Sequence, residues 1–376
     1  MHSVSLHYTL SHKDDNAATS SAEGALLRHP LMALLQAVDQ QGSISAAARQ
    51  LSLSYRHVWG ELKRWEDVLG HELIIWEKGQ SAQLTEFGGK LMWAERQTQA
   101  RLAPQLEALR ADLERTFAVA FDPAAHVLTL YASHDDALPR LREQAASTGL
   151  HLDIRFCGSV DAIRALNEGR CTLAGFHTQV HPNPDSHTAR AYRDLLQPGL
   201  HKIIGFATRT QGLITAAGNP KKLQSLADVV KIQARFVQRS PGTGTRVLLD
   251  DLLAQAQLHS QDLNNWPDEE PSHTALAEAI ASGRCDVGLG IESTARARGL
   301  GFVPLVEEQF HLVCLKSALD TPATLALRHF LQDAAWAQVL HSLPGYRAQN
   351  GGEIQPLNKR LPWWTFKRTK KAQTTT

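Results

Sequence analysis

The 376 residues carry 39 Lys and Arg against 38 Asp and Glu, a formal net charge of +1, with 43% hydrophobic and 20% charged residues. This is a globular composition long enough for two or three domains, and it excludes a global field that draws the chain to nucleic acid, so any such surface must come from local charge placement. Cys157, Cys171, Cys285 and Cys314 lie far apart with no CxxC spacing, so no zinc site and reduced thiols are expected. The polar stretch Met1 to Glu23 lacks the apolar core of a secretory signal, and no apolar run approaches the roughly 20 residues of a membrane span. The expected location is cytoplasmic.

In chain order, residues 1–24 read as a disordered lead and 25–85 as short helices followed by a hairpin. Ser43 is a good N-cap, and Ile44, Ala47, Ala48 and Leu51 follow at helical spacing. They give a short helix with a small-residue face that a second helix can cross closely. Ser52-Leu53 makes the turn and Ser54 caps the next helix, in which Val58, Leu62, Trp65 and Leu69 share one stripe. The opposite face presents Arg56, Gly60 and Lys63, flanked by His57 and Arg64, with Tyr55 and Trp59 on its shoulders. Such a face suits a DNA major groove: cations for phosphates, Arg56 for a base edge, and a glycine where backbone approaches. Gly70 ends this helix as its C′ residue. Leu73–Trp76, the turn Glu77-Lys78-Gly79-Gln80-Ser81 and Ala82–Leu84 read as a wing, and Thr85 caps the helix beyond. The candidate DNA-contacting set is Ser43, Ser54, Tyr55, Arg56, His57, Lys63, Arg64 and Lys78. An ordinary helical domain with solvated charges could show the helix pair alone; the whole order of helix, small-residue helix, turn, polar-faced helix, wing and long helix is more specific.

Residues 86–122 read as one long linker helix, broken at Phe121-Asp122-Pro123. Phe87, Leu91, Ala94, Leu102, Leu106, Leu109 and Leu113 form a near-heptad seam interrupted by Thr98. The seam packs either on its own wing domain or against the same helix of a second chain. The second arrangement sets two recognition helices about one DNA turn apart, on an inverted-repeat operator.

From Val127 to about Tyr346, short apolar strands alternate with helices, which predicts an α/β sheet. The strand 127–131 leads into Ser133-His134-Asp135, the strand 151–156 into Gly158-Ser159, and the strand 172–176 ends at His177. Open α/β sheets bind ligands at such strand ends, and hydroxyls beside helix N–H groups favour anions. The run from Gln238 to Arg246 combines Arg239, Gly242, Thr243, Gly244, Thr245 and Arg246 ahead of a helix. It is neither a P-loop nor a dinucleotide fingerprint. It is either an anion nest with forked cations or a glycine-rich turn with solvated arginines. Cys285–Glu292 reads as a buried strand. Glu270 and His273 are weak grounds for a metal site, and a helix-capping role suits them better. Crossovers near Phe206 and Leu315 would let two lobes hinge. Residues 347–376 read as a basic C-terminal tail.

Two families share these motifs. Residues 30–95 resemble the N-terminal domain of LysR-type and ModE-type regulators, through Gly42-Ser43-Ile44-Ser45-Ala46-Ala47-Ala48, Ser54-Tyr55-Arg56-His57-Val58-Trp59 and Leu84-Thr85-Glu86-Phe87-Gly88. Residues 126–315 resemble the periplasmic-binding-protein-like sensor fused to ModE-type DNA-binding domains and found in some molybdopterin-biosynthesis proteins. The carrying motifs are Ser133-His134-Asp135, Gly158-Ser159, Ala174–His177, Arg209–Ile214, Gly218-Asn219-Pro220, Gly242–Asp250, Glu270–Thr274 and Asp286–Gly290. The resemblance implies an α+β winged helix-turn-helix (25–85) with a long linker and dimerisation helix (86–122), then an α/β two-lobed binding-protein-like domain (126–346). It implies a transcriptional regulator, a homodimer or dimer of dimers, that binds double-stranded DNA and a small effector. The effector class would be molybdate, tungstate or a molybdopterin-related compound, with no covalent cofactor, metal or catalytic residue. The ligand set would be Ser133, His134, Asp135, Ser159, His177, Arg209, Arg239, Thr243, Gly244, Thr245, Arg246, Glu270 and His273. Asp135 and Glu270 suit a bare oxyanion only if they orient donors, and Pro241 removes one N–H. A sensor for a sugar, amino acid or organic acid remains an alternative. So does an enzyme using the His134/Asp135 cleft, although no nucleophile–base–orienter set accompanies it.

Overall fold

The computed structural model describes residues 29–76, 81–121 and 125–364. The chain divides into two compact units, Met1–Leu106 and Glu107–Thr376. The expected lead 1–24, the wing turn with Lys78, and the tail beyond residue 364 lie outside the described residues.

The first unit is α1 (Pro30–Gln41), α2 (Ile44–Gln50), α3 (Tyr55–Leu69), β1 (Ile74–Ile75), β2 (Gln83–Leu84) and the start of α4 (Glu86–Phe121). The caps are those the sequence announces. Ser43 accepts from the Ala46 amide and Ser54 from the His57 amide, and Gly70 ends α3 in the left-handed conformation with φ 70°. Thr85 accepts from the Gly88 amide at 3.0 Å. Leu35, Val38, Ala47, Val58, Leu62 and Leu73 form a core with almost no exposure. The wing strands are shorter than predicted, two residues each, pairing Ile74 with Leu84 and Ile75 with Gln83. They are fixed by Glu66, a buried carboxylate on the recognition helix. It accepts from the Leu73 amide at 2.8 Å, the Ile74 amide at 3.3 Å and Lys63 Nζ at 2.6 Å. The long helix α4 runs 36 residues through Pro104, which has no N–H to give to the helix.

The second unit is a three-layer α/β body. Its first lobe uses β3 (His126–Ala132), α5 (Ala137–Ala146), β4 (Leu150–Phe156), α6 (Ser159–Asn167), β5 (Leu173–Gln179) and α7 (His187–Tyr192). The long strand β6 (His201–Thr215) then crosses into the second lobe: α8 (Leu226–Lys231), β7 (Arg235–Arg239), α9 (Gly244–Gln255), β8 (Asn264–Glu270), α10 (His273–Ala281), β9 (Val287–Ile291) and α11 (Glu292–Arg296). A second long strand, β10 (Gly301–Leu315), returns to the first lobe, which α12 (Pro322–Gln332), α13 (Ala334–Ser342), β11 (Tyr346–Ala348), β12 (Ile354–Pro356) and α14 (Leu357–Arg360) complete. The strand order is β4-β3-β5-β10-β6-β9-β7-β8, with β11 and β12 also pairing with β6.

The lobes therefore share an antiparallel β6–β10 ladder. The first-lobe strands pair with it through Ala174–Gln179, and β9 pairs with it from Gln211 onward. The crossing lies around Thr208–Thr210 and Val306–Gln309, inside the strands. The expected hinge points at Phe206 and Leu315 are thus displaced: Phe206 is buried in the first-lobe core and Leu315 ends β10. The parallel strands emerge where expected, except that β5 runs on through His177 to Gln179, so His177 points from within a strand.

Burial works against the charge on Glu66, but Lys63 and the two wing amides outweigh it and hold the carboxyl below its usual range. Glu66→Ala should cost about 1–3 kcal/mol by leaving those buried amides without an acceptor, read as a lower urea midpoint by tryptophan fluorescence. A carboxyl lowered on folding stabilises above its unfolded pKa of about 4.3 and loses that contribution as pH falls. The gap between wild type and variant should therefore narrow in acid; a constant gap would count against the carboxylate as its source.

Candidate ligand cleft and DNA-facing helix

Where the two lobes cross, Arg209 on β6 faces Glu308 on β10 in the ladder register. Its guanidinium donates to Glu308 and, on its other edge, to Asp135 at the end of β3. Tyr346 donates to Asp135 at 2.9 Å, as does the Ala137 amide at 2.8 Å, and Gln211 donates to Glu308 at 2.7 Å. All of these side chains are buried. Burial raises both carboxyls from their ordinary values, because one cation cannot neutralise two of them. Burial also opposes the Arg209 charge, but Glu308 and Asp135 outweigh it and keep the guanidinium firmly protonated.

In front of this network the strand ends converge. The Ser133 and Ser159 hydroxyls share a hydrogen bond of 3.2 Å. The α6 N-terminus behind Ser159 has no side-chain cap. Gly244, the first residue of α9, lies against both Ser159 Oγ and His177 Nδ1; a Cβ there would meet them at 3.2 and 3.0 Å. Thr245 accepts from Gln211 at 3.1 Å and lies 3.5 Å from His273 Nε2. Arg239 donates to the carbonyls of Glu270 (3.1 Å) and Pro271 (2.9 Å), while its Nη1 is buried without a partner. Both nitrogens of His177, and Nδ1 of His134 and His273, are likewise buried and unpartnered. Burial, reinforced by the nearby arginines, keeps the three imidazoles neutral, His134 with a pKa of about 4. Burial also lowers Arg239 to about 9, with Arg209 adding repulsion.

Contacts cross directly between the lobes. A Cβ at Gly158 would lie 2.7 Å from the Gly242 carbonyl. Asp136 accepts from Ser293 at 2.6 Å and Thr294 at 2.9 Å. Asp251 on α9 accepts from the His187 amide at 2.6 Å at the start of α7.

The structure thus gathers Ser133, His134, Ser159, His177, Arg239, Gly244, Thr245 and His273. Thr243 is spent as the α9 cap, accepting from the Arg246 amide. Three expectations need correction. Arg209 is not a free cation, since two carboxylates hold it, and Asp135 is its partner in that network. Arg246 pairs with the exposed Glu269 at 3.5 Å. The cap of α10 is Ser272, not Glu270 or His273, because Ser272 accepts from the Ala275 amide at 3.0 Å; Glu270 lies 3.7 Å from Arg284. Glu308, Gln211, Asp136 and Tyr346 escaped the sequence reading. The polar runs Arg209-Thr210-Gln211 and Glu307-Glu308-Gln309 within otherwise apolar strands were the available signal for the first two.

On α3, Tyr55, Arg56 and His57 are exposed at the N-terminal turn. Tyr55 stacks on Trp59 at 6.4 Å and Trp59 meets Trp76 edge-on at 5.7 Å, an aromatic tier over which Lys63 lies 5.1 Å from the Trp59 ring. Lys63 and Arg64 are each paired on the helix, with Glu66 and Glu61. Arg56 has no partner among the described residues, whereas Lys63 and Arg64 do. Ser43 and Ser54 act as caps.

Residues 30–89 match the family model of the bacterial regulatory helix-turn-helix protein, lysR family. Residues 141–332, just over half of the chain, match the PBP superfamily domain. The uncharacterized protein YvgK of Bacillus subtilis is 26% identical over 200 residues, 53% of this chain and 64% of its own length. The molybdate-binding protein ModA of Mycobacterium tuberculosis is 29% identical over 170 residues, 44% of this chain and 59% of its own length. The chain therefore spans under two thirds of either relative. Among solved structures, full-length BenM aligns with a TM-score of 0.41 and 13% identity, covering 83% of this chain and 96% of that one.

Arg209→Met should destabilise the second unit by about 3–5 kcal/mol, because it leaves Asp135 and Glu308 buried and uncompensated. Carboxyls whose pKa is raised on folding destabilise more as pH climbs above their unfolded values. Thermal melts of the variant should therefore recover toward wild type between pH 7 and pH 5; a loss that does not ease in acid would argue that the network is not electrostatic in origin.

Proposed function

This chain belongs to the PBP superfamily, and we propose that, with a helix-turn-helix matching the lysR family over residues 30–89, it is a DNA-binding regulator rather than an enzyme, and that the effector it senses is a small oxyanion of the molybdate class. The observation that carries this reading is the set of buried donors converging between the lobes. Arg239 Nη1 is unpartnered, the Ser133 and Ser159 hydroxyls bond each other, and the α6 N-terminus has no side-chain cap. An oxyanion offers acceptors only, so it satisfies this set where a sugar hydroxyl would compete as donor. Two points add support: the ModA likeness is to a protein named for binding molybdate, and the loop preceding α9 resembles an anion nest. The regulator acts as a homodimer joined through α4, whose Leu109 is half exposed, and reads an inverted repeat through paired α3 helices. None of the described helices is long and apolar enough to cross a membrane, and we place the protein in the cytoplasm.

Two experiments test this. A ligand at about 100 times its Kd stabilises by about 2.7 kcal/mol, so molybdate and tungstate should raise the melting midpoint more than sulfate or phosphate. Arg239→Lys, which keeps a charge but loses the forked donor, should weaken the response about tenfold. A midpoint moved by a neutral sugar or amino acid and by no anion would overturn the oxyanion reading. Separately, Arg56→Ala should weaken binding of operator DNA by about 1–3 kcal/mol while non-specific DNA is bound nearly as before. Equal losses on both DNAs would make Arg56 a phosphate contact.

A further inference from the structure

A recess opens on the first lobe between the β6–β10 ladder and the segment that joins β11 to β12. It encloses about 180 Å³, counting its mouth, and none of the donors of the interlobe cleft lines it. Phe206 and Phe310 form its apolar side, their rings meeting edge-on at 4.9 Å. Gln349 and Asn350 form the wall opposite. That wall lies flat on β6 because residue 205 is glycine: a side chain there would run into the Asn350 carbonyl. The Gly352 amide donates to the Gly205 carbonyl at 2.9 Å, and Gln309 donates to Gln349 at 2.9 Å.

Arg360, the last residue of α14, is the one charged side chain among the described residues that line the recess. Its Nε is buried without a partner. The acidic pair on the neighbouring stretch of β10 is already engaged, Glu307 by Arg347 and Glu308 by Arg209. Burial lowers the Arg360 pKa from its ordinary value, with no opposing charge to offset it. His311 adds no second charge. Burial, and then Arg360 itself, keep that imidazole neutral at a pKa of about 3, and its Nε2 lies 2.9 Å from the Thr178 hydroxyl.

A guanidinium drawn partly out of water without a counter-charge costs free energy, and an anion that enters removes that cost. One cation matches a single negative charge better than the two of a molybdate or sulfate. The planar fork of a guanidinium matches the two oxygens of a carboxylate. The volume is well below the roughly 300–1,000 Å³ of pockets for drug-sized ligands, so only a few heavy atoms fit. We propose that the recess is a second ligand site, apart from the interlobe cleft, and that it takes a small monocarboxylate. The carboxylate sits on Arg360, the amide of Gln355 at the rim supplies a further donor, and a short alkyl group rests on Phe206 and Phe310.

The test uses the full chain with sodium propionate as the probe, its affinity read by saturation-transfer NMR, and melting of the unliganded protein for stability. Propionate should bind with a Kd on the order of 1 mM, as suits so small a ligand, and propionamide should bind far more weakly. Arg360→Gln should weaken propionate about tenfold or more, the loss of a forked charged contact, while the unliganded protein melts at or above the wild-type midpoint. Arg360→Lys, which keeps the charge without the fork, should fall between them, and it carries the test if Arg360→Gln does not fold. Arg239→Lys, altered in the cleft, should bind propionate as the wild type does. Unchanged affinity in Arg360→Gln overturns the site, as does a lowered unliganded midpoint with unchanged affinity, which makes Arg360 structural. Loss of binding in Arg239→Lys instead would put the carboxylate in the cleft and overturn the second site. Propionamide binding as well as propionate, or chloride displacing propionate at equal concentration, overturns the carboxylate assignment. No binding by the wild type at about 50 mM, far above the expected Kd, overturns the whole inference and leaves the oxyanion reading of the cleft untouched.

Discussion

The second unit depends on one guanidinium buried where two long strands cross. Arg209 is register partner to Glu308 across the β6–β10 ladder and reaches Asp135 at the end of β3. Buried ion pairs add little net stability, because desolvation consumes most of the Coulomb gain, but separating the partners inside the core leaves uncompensated charge and costs about 3–5 kcal/mol. A slip of one residue in either strand would turn Arg209 or Glu308 to the opposite sheet face and strand a charge in the core. The network thus fixes the register of the two long strands that both lobes share, and with it where the ends of β3 and β7 come to face each other.

That use of Arg209 shapes the cleft in front of it. Its charge is consumed by two carboxylates, so in the proposed site recognition would fall to neutral donors and to Arg239. Imidazoles kept uncharged by burial can donate from one nitrogen and accept at the other. Hydroxyls and helix-end amides bring dipoles instead of full charges, which suits an anion that must be released as well as held. Asp135, awkward for an oxyanion when read as a direct contact, is accounted for once it is seen to face Arg209 and Tyr346 rather than open cleft.

What the sequence disclosed follows from the range of the interactions. Ser43, Ser54, Thr85 and Gly70 act within one helical turn, so their roles were visible from neighbours. The strand ends carrying Ser133 and Ser159 were visible because each joins a period-two run to a helix start. The partners of Arg209 were not, because Asp135 lies 74 residues away and Glu308 lies 99 away in sequence. Tyr346 is 211 residues from Asp135 and carries no local pattern at all. His177 was placed at a strand end because polar residues usually stop a buried strand; here its ring stacks on Phe310 at 4.1 Å, across the ladder, and β5 continues. Nothing in the local sequence marks Glu66, since only the folded wing brings the Leu73 and Ile74 amides to it.

Hydrogen bonds cross between the lobes, and that bears on how a ligand could be sensed. Asp136 with Ser293 and Thr294, and Asp251 with the start of α7, are hydrogen bonds that water can replace when the lobes part. Each is worth about 0.5–1.5 kcal/mol net, so each adds only a small term to closure. A ligand shifts such a balance only by binding one arrangement better than the other. Donors from both lobes, Ser133 and Ser159 on one side and Arg239 and the α9 start on the other, can satisfy a single oxyanion together only when the lobes are close. Moving the population from 1:99 to 99:1 takes about 5.5 kcal/mol of differential affinity, within reach of two or three charge-assisted hydrogen bonds at about 1.5–3 kcal/mol each. On the proposed reading, the donors that would recognise the anion would also determine whether the lobes stay together.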